Sequence, residues 1–198
     1  MGNHIYLEIQ TFGVKFVKFA GLCGILGPLL ALPILLYSVQ RAEGFSWFGN
    51  WLSDIGGGVF GPSVALTFNL SPILGGVLAL IFSLGLFRVL NKPSGRLGAF
   101  LFLSASVSLI AIGVFPEPYG LIHYSVSVAF FILSTVSMFY VGASAMDSSD
   151  RSLAILSLSL GLISAFALAP TVKAVSEFIG AISVSIWTVF LGIRLLRG

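Results

Sequence analysis

Charge is scarce in this 198-residue chain: 9% of its residues are Asp, Glu, Lys or Arg, against 57% that are hydrophobic. Soluble domains carry about 25% charged residues. No water-facing surface can be built from this composition, which excludes a soluble enzyme, a nucleic-acid binder and a disordered chain. Cysteine is nearly absent: Cys23 is the only one, so neither an intrachain disulfide nor a thiolate metal cluster can form. There are two histidines, and only His123 lies in an apolar region. One imidazole is too few for an intramembrane metallohydrolase built on several. The sequence also lacks HExxH, GxSxG and P-loop motifs, and nothing in it names a cofactor. What it has is long apolar runs and a mean hydropathy of +1.06. The class this implies is all-α: a polytopic integral membrane protein whose residues 1–198 form one helical bundle domain.

A helix needs about 20 apolar residues to cross the hydrocarbon core. Six stretches are expected to do so: Val17–Val39, Val64–Leu90, Leu97–Phe115, Ile122–Met146, Ser152–Pro170 and Ser176–Leu196. The last two are separated only by Thr171–Val175, where Lys173 and Glu177 argue for a real break. The first run is too long for a cleaved signal and has no clear cleavage site after it. Ahead of it, Ile5, Ile9, Phe12 and Phe16 share one helical face, which suits a cytosolic extension of the first span better than a separate interfacial helix.

Basic residues set the orientation. With the N-terminus inside, Lys15, Lys18, Arg88, Lys92, Arg96, Arg151, Arg194 and Arg197 fall on the cytosolic side, and only Arg41 and Lys173 fall outside. Both termini are therefore expected in the cytosol, with the chain a multi-pass protein of the cell membrane. The outer connection Gln40–Ser63 is the longest. It carries Phe45, Trp47, Phe48 and Trp51, residue types that suit the headgroup region, followed by Gly56-Gly57-Gly58. It is expected to fold back over the outer face. Small residues (Gly21, Gly24, Gly27, Gly75, Gly76, Gly85, Gly161, Ala165) mark helix contact faces, and such faces also permit a homo-oligomer. Pro28, Pro33 and Pro72 should bend or loosen their helices.

Six polar residues from different segments gather at the outer surface: Asp54, Asn69, Glu117, His123, Lys173 and Glu177. Polar groups near lipid are costly and tend to pair or to line a cavity. Each also has a plain reading. Lys173 and Glu177 are spaced as an i,i+4 helix pair. Glu117 sits between two prolines in a turn. Asn69 can join two helices, His123 can cap one, and Asp54 can cap a turn.

Leu52-Ser53-Asp54-Ile55-Gly56, Phe68-Asn69, and Gly113-Val114-Phe115-Pro116 with His123 a few residues on occur in this order. This set resembles the prokaryotic six-span family catalogued as domain of unknown function 998. It is also distantly similar to the eukaryotic six-span family that includes the autophagy modulator DRAM. The resemblance implies no settled activity but singles out Asp54, Asn69 and His123.

Three functions compete. The first is a lipid-directed outer-leaflet site. In it Asp54, Glu117 and His123 are the catalytic candidates, and Ser53, Gly56, Gly57, Asn69, Lys173 and Glu177 contact the ligand, with membrane lipids as partners. The glycine amides could cradle a phosphate, although Asp54 would repel it. An imidazole titrates near pH 6.5 and can exchange protons with a carboxylate partner; metal held by His123 and carboxylates is the lesser alternative. The second is a small-solute or proton-coupled transporter, for which Pro72 after Asn69 is the best helix break and Ser152, Ser157, Ser159 and Ser164 a polar path. The third is a non-catalytic membrane scaffold.

Overall fold

The computed structural model describes residues 2–169 and 172–197, with side-chain surroundings from Gly13 onward. Among these residues the chain forms seven α-helices: α1 (Gly2–Arg41), α2 (Leu52–Gly56), α3 (Pro62–Val89), α4 (Pro93–Val114), α5 (Leu121–Asp147), α6 (Arg151–Ala167) and α7 (Lys173–Arg197). A 3-10 turn, Glu117–Tyr119, leads into α5. Five of the helices are long and apolar enough to cross a membrane: α1 from Gly13, α3, α4, α5 and α7. The chain is thus a multi-pass membrane protein in outline. The run expected to cross fifth, Ser152–Pro170, forms the shorter α6 of 17 residues, and Pro170 lies outside the described residues.

The long helices close a ring in chain order. α1 packs on α3, α3 on α4, α4 on α5, α5 on α6, α6 on α7, and α7 returns to α1. From α3 to α7, short connections make successive helices antiparallel. Pro28 and Pro33 lie inside α1 and Pro72 inside α3, and both helices run on through them. α1 is also one helix from Gly2, in line with an extension of the first span. The face set by Ile5, Ile9 and Phe12 lies outside the described side chains.

Small residues do let the helices touch. A Cβ on Gly21 would come within 2.8 Å of the Gly192 carbonyl, and one on Gly24 within 2.5 Å of the Phe82 ring. Trp187, Phe82 and Phe102 are fully buried at the centre, with edge-to-face contacts at 5.1 Å (Phe102–Trp187) and 6.0 Å (Phe82–Phe102). Hydroxyls join helices there. Trp187 Nε1 donates to Ser157 Oγ at 2.9 Å, Thr135 and Ser164 share a hydrogen bond at 2.6 Å, and Ser137 donates to the Gly98 carbonyl at 2.7 Å. Ser157 and Ser164 thus serve helix packing.

The end of the bundle that carries α6's start is held by charge. Asp150 caps α6 by accepting from Leu153 N at 3.2 Å and pairs with Arg194, which also donates to Ser152 Oγ at 2.6 Å. The Arg194 hydrogen bond, helped by Leu153 and Ser152, holds the Asp150 carboxyl below its ordinary range against the opposing effect of burial.

The opposite end carries the long connection, which is a folded cap. Leu52 and Ile55 of α2 are buried with Leu35, Ala42, Phe68 and Ala174. Phe45 and Trp47 are half-buried against the cap. Trp47 meets Phe178 at 5.3 Å and Phe45 meets Phe60 at 5.9 Å. Of that aromatic set Phe48 faces outward, 75% exposed.

Candidate functional site

Hydrogen bonds fasten the cap to the start of α7. Lys173 Nζ donates to the Gly49 carbonyl at 2.5 Å, Ala174 N to the Asn50 carbonyl at 3.0 Å, and Glu177 Oε2 accepts from Leu52 N at 2.6 Å. Lys173 and Glu177 thus do not pair with each other, as their i,i+4 spacing suggested. Each reaches across to the loop. A carboxylate is well suited to this place, because the first amides of a helix have no intrahelical acceptor.

Asp54 is the third residue of α2 and closes its own turn. Its Oδ2 accepts from Trp51 N at 3.1 Å and from Asn50 Nδ2 at 2.9 Å. This is the reach-back half of a capping box. Asn69 donates from Nδ2 to the Gly56 carbonyl at 3.1 Å, tying α3 to the end of α2. Glu117 comes against Gly57 so closely that a Cβ there would stand 2.5 Å from its Oε2. Asp54 and Glu117 are both near enough to act electrostatically on Glu177. The structure therefore brings Asp54, Glu117 and Glu177 to one region of the cap, with Asn69 beneath it.

The glycine run does not offer free amides. Gly57 N donates to the Ser53 carbonyl at 2.9 Å, Gly58 N to the Ile55 carbonyl at 3.3 Å, and Gly61 N to the Gly58 carbonyl at 3.0 Å. A phosphate cradle needs such amides unpaired, and a carboxylate already faces Gly57.

His123 sits at the head of α5 and is buried, 7% exposed. Its Nδ1 lies 2.8 Å from the Phe115 carbonyl. A carbonyl only accepts, so Nδ1 carries the proton and donates. In the neutral ring Nε2 is then the lone-pair nitrogen. It faces Ser127 Oγ one turn on, at a long 3.4 Å. The motif segment Gly113–Pro116 thus serves His123 through a backbone oxygen, which no side-chain pattern announces.

Beneath the cap lies a cavity of about 140 Å³, partly open to the outside, between α1, α3, α4, α5 and α7. Its upper end is lined by Ser53, His123, Ser127 and Glu177, and its depth by apolar residues that include Leu32, Phe68, Leu109 and Phe130, down to Cys23. Asp54, Glu117, Asn69 and Lys173 are not among the lining residues. They build the cap, and Glu177, Ser53 and His123 meet the space. Sequence reasoning passed over Ser127, although its i+4 spacing from His123 was a usable signal, and it passed over Asn50, whose backbone and side chain both hold the cap. Among the described residues no three His, Cys, Asp or Glu side chains gather closely enough to hold a metal ion.

No curated protein and no solved structure matches the chain. Residues 25–194, which include every motif segment described above and the whole cavity apart from two of the α1 residues at its floor, match the family described as "Protein of unknown function (DUF998)", and the chain belongs to that family.

Proposed function

We propose that this protein holds a single-chain membrane amphiphile, with the tail in the cavity between α1, α3, α4, α5 and α7 and the head at Ser53, His123 and Glu177. The cavity supports this reading because its acid and base, Glu177 and His123, sit at the capped end, while the deeper lining is mostly apolar and its hydroxyls, Ser71, Ser106, Ser185 and Thr188, donate to backbone carbonyls. From Glu177 to Thr188 the lining runs about 16 Å along α7 by helix rise. The space is elongated and partly open to the outside of the bundle, a shape that suits one narrow chain.

The test is a plug. Leu109→Trp fills the cavity from α4. Native mass spectrometry of the wild-type protein released from mild detergent should show a co-purifying amphiphile, and the variant should lose it while its melting temperature stays within a few degrees. Equal loading of both would end the reading.

The same reading takes α6 as a sixth crossing, with both termini in the cytosol and the cap outside the cell membrane. α6 starts beside Arg194, near the end of α7, and leads back toward α7's start. Its 17 residues reach about 25 Å, at the short limit for a span. The eight-to-two division of basic residues between the two ends supports the orientation. Single cysteines at Gly49 and Ser94, with Cys23 replaced, test it. An impermeant thiol reagent on intact cells should reach position 49 and not 94, and the reverse pattern would invert the topology.

A further inference from the structure

We infer that the head group this cavity selects is a hydrogen-bond donor without negative charge, and specifically a primary amine rather than a phosphate. The inference rests on the amphiphile-binding reading above and names its ligand class.

The upper lining presents acceptors. Glu177 brings a carboxyl group, which accepts from Leu52 N through Oε2. His123 has its proton turned away to the Phe115 carbonyl, leaving Nε2 toward Ser127 and the cavity. No lysine or arginine lines the space. The one cation close to Glu177 in sequence, Lys173, is drawn off to the Gly49 carbonyl. Asp54 and Glu117 add two further carboxylates that act on Glu177. The amides that would favour an anion are bonded within the cap turn. A phosphate, which only accepts and is negative, would meet acceptors and like charge. An ammonium donates three hydrogen bonds and suits both the acceptors and the field. Charge-assisted hydrogen bonds of this kind are stronger than neutral ones.

The native thiol supplies the readout, because Cys23 lies deep in the cavity and is buried, 3% exposed. Full-length protein in phosphatidylcholine nanodiscs is labelled with methyl methanethiosulfonate in the presence of dodecylamine, dodecanol or dodecyl phosphate, which share one tail. Dodecylamine should protect Cys23 at a concentration about tenfold below dodecanol, and dodecyl phosphate should protect least. Glu177→Gln, whose amide oxygen can still accept from Leu52 N, should bring the amine down to the level of the alcohol. Glu117→Gln alters an exposed carboxylate that lies against Gly57 of the cap. It should lower the amine preference by a smaller factor, and it carries the test if the first variant does not fold. Equal protection by amine, alcohol and phosphate would overturn the inference while leaving amphiphile binding intact, as would phosphate protecting best. Protection by none of the three would overturn both.

Discussion

Gly192→Val should abolish the folded protein. Gly192 on α7 and Gly21 on α1 face each other backbone to backbone. A Cβ on Gly192 would stand 2.6 Å from the Gly21 carbonyl and 3.2 Å from Ile25 N, and a Cβ on Gly21 would meet the Gly192 carbonyl. Neither obstacle is a side chain that can swing aside. Relief requires the two helices to separate, and this seam closes the ring between the first helix and the last. Overpacking of a tight site costs about 1–3 kcal/mol and occasionally more. Backbone on both sides puts this site at the upper end or beyond, and the added branch of valine worsens it. Size-exclusion chromatography in mild detergent should show aggregate in place of a monodisperse peak. Gly13→Val, at a glycine with open space around it, should behave as wild type. A Gly192→Val protein that melts within two degrees of wild type would show that α1 and α7 are not in close contact.

Glu177→Ala should open the cap. Among the ties between the cap and α7, the Glu177 carboxyl makes the one that reaches the first residue of α2. Its loss leaves Leu52 N without an acceptor in a half-buried place. A buried donor left unpaired costs about 1–3 kcal/mol. That cost falls on the closed state alone, so it raises the population of the open one. Cys23 labelling by a small thiol reagent should accelerate by about tenfold or more, while the helical content is unchanged. Glu177→Gln should label close to the wild-type rate, because an acceptor remains. If alanine and wild type label alike, Glu177 is not a fastener of the cap.

The two ends of the molecule were readable from sequence to different depths. Helix positions were nearly complete, because a run such as Val64–Leu90 must satisfy its backbone internally in lipid and α3 duly spans Pro62–Val89. The gathering of Asp54, Asn69, Glu117 and Glu177 at one end was also legible, since hydropathy puts charged residues at the ends of spans. Their division of labour was not. Asp54 and Asn69, which the motifs singled out, hold the cap by bonds to Trp51 and Gly56. Glu177 joins a residue 125 positions away, a separation at which spacing says nothing. The i,i+4 rule placed Lys173 near Glu177 and missed that loop acceptors and donors compete for both.

Composition and charge distribution alone carried the class of the protein, the approximate span boundaries and the expected orientation, because lipid imposes a single strong requirement on every crossing segment. Which side of each helix faces inward was left to the tertiary structure. In water, periodic apolarity marks the buried face. In lipid both faces are apolar: Leu29, Phe100 and Phe166 are 60%, 54% and 85% exposed on the outside of the bundle. The inward faces are marked instead by serines and glycines, among them Ser106, Ser134, Ser137 and Ser157, all nearly or fully buried. Close packing at such small residues fixes how the helices rotate and cross. That rotation is what turns Cys23, Leu109, Ser127 and Glu177, from four different helices, toward one space.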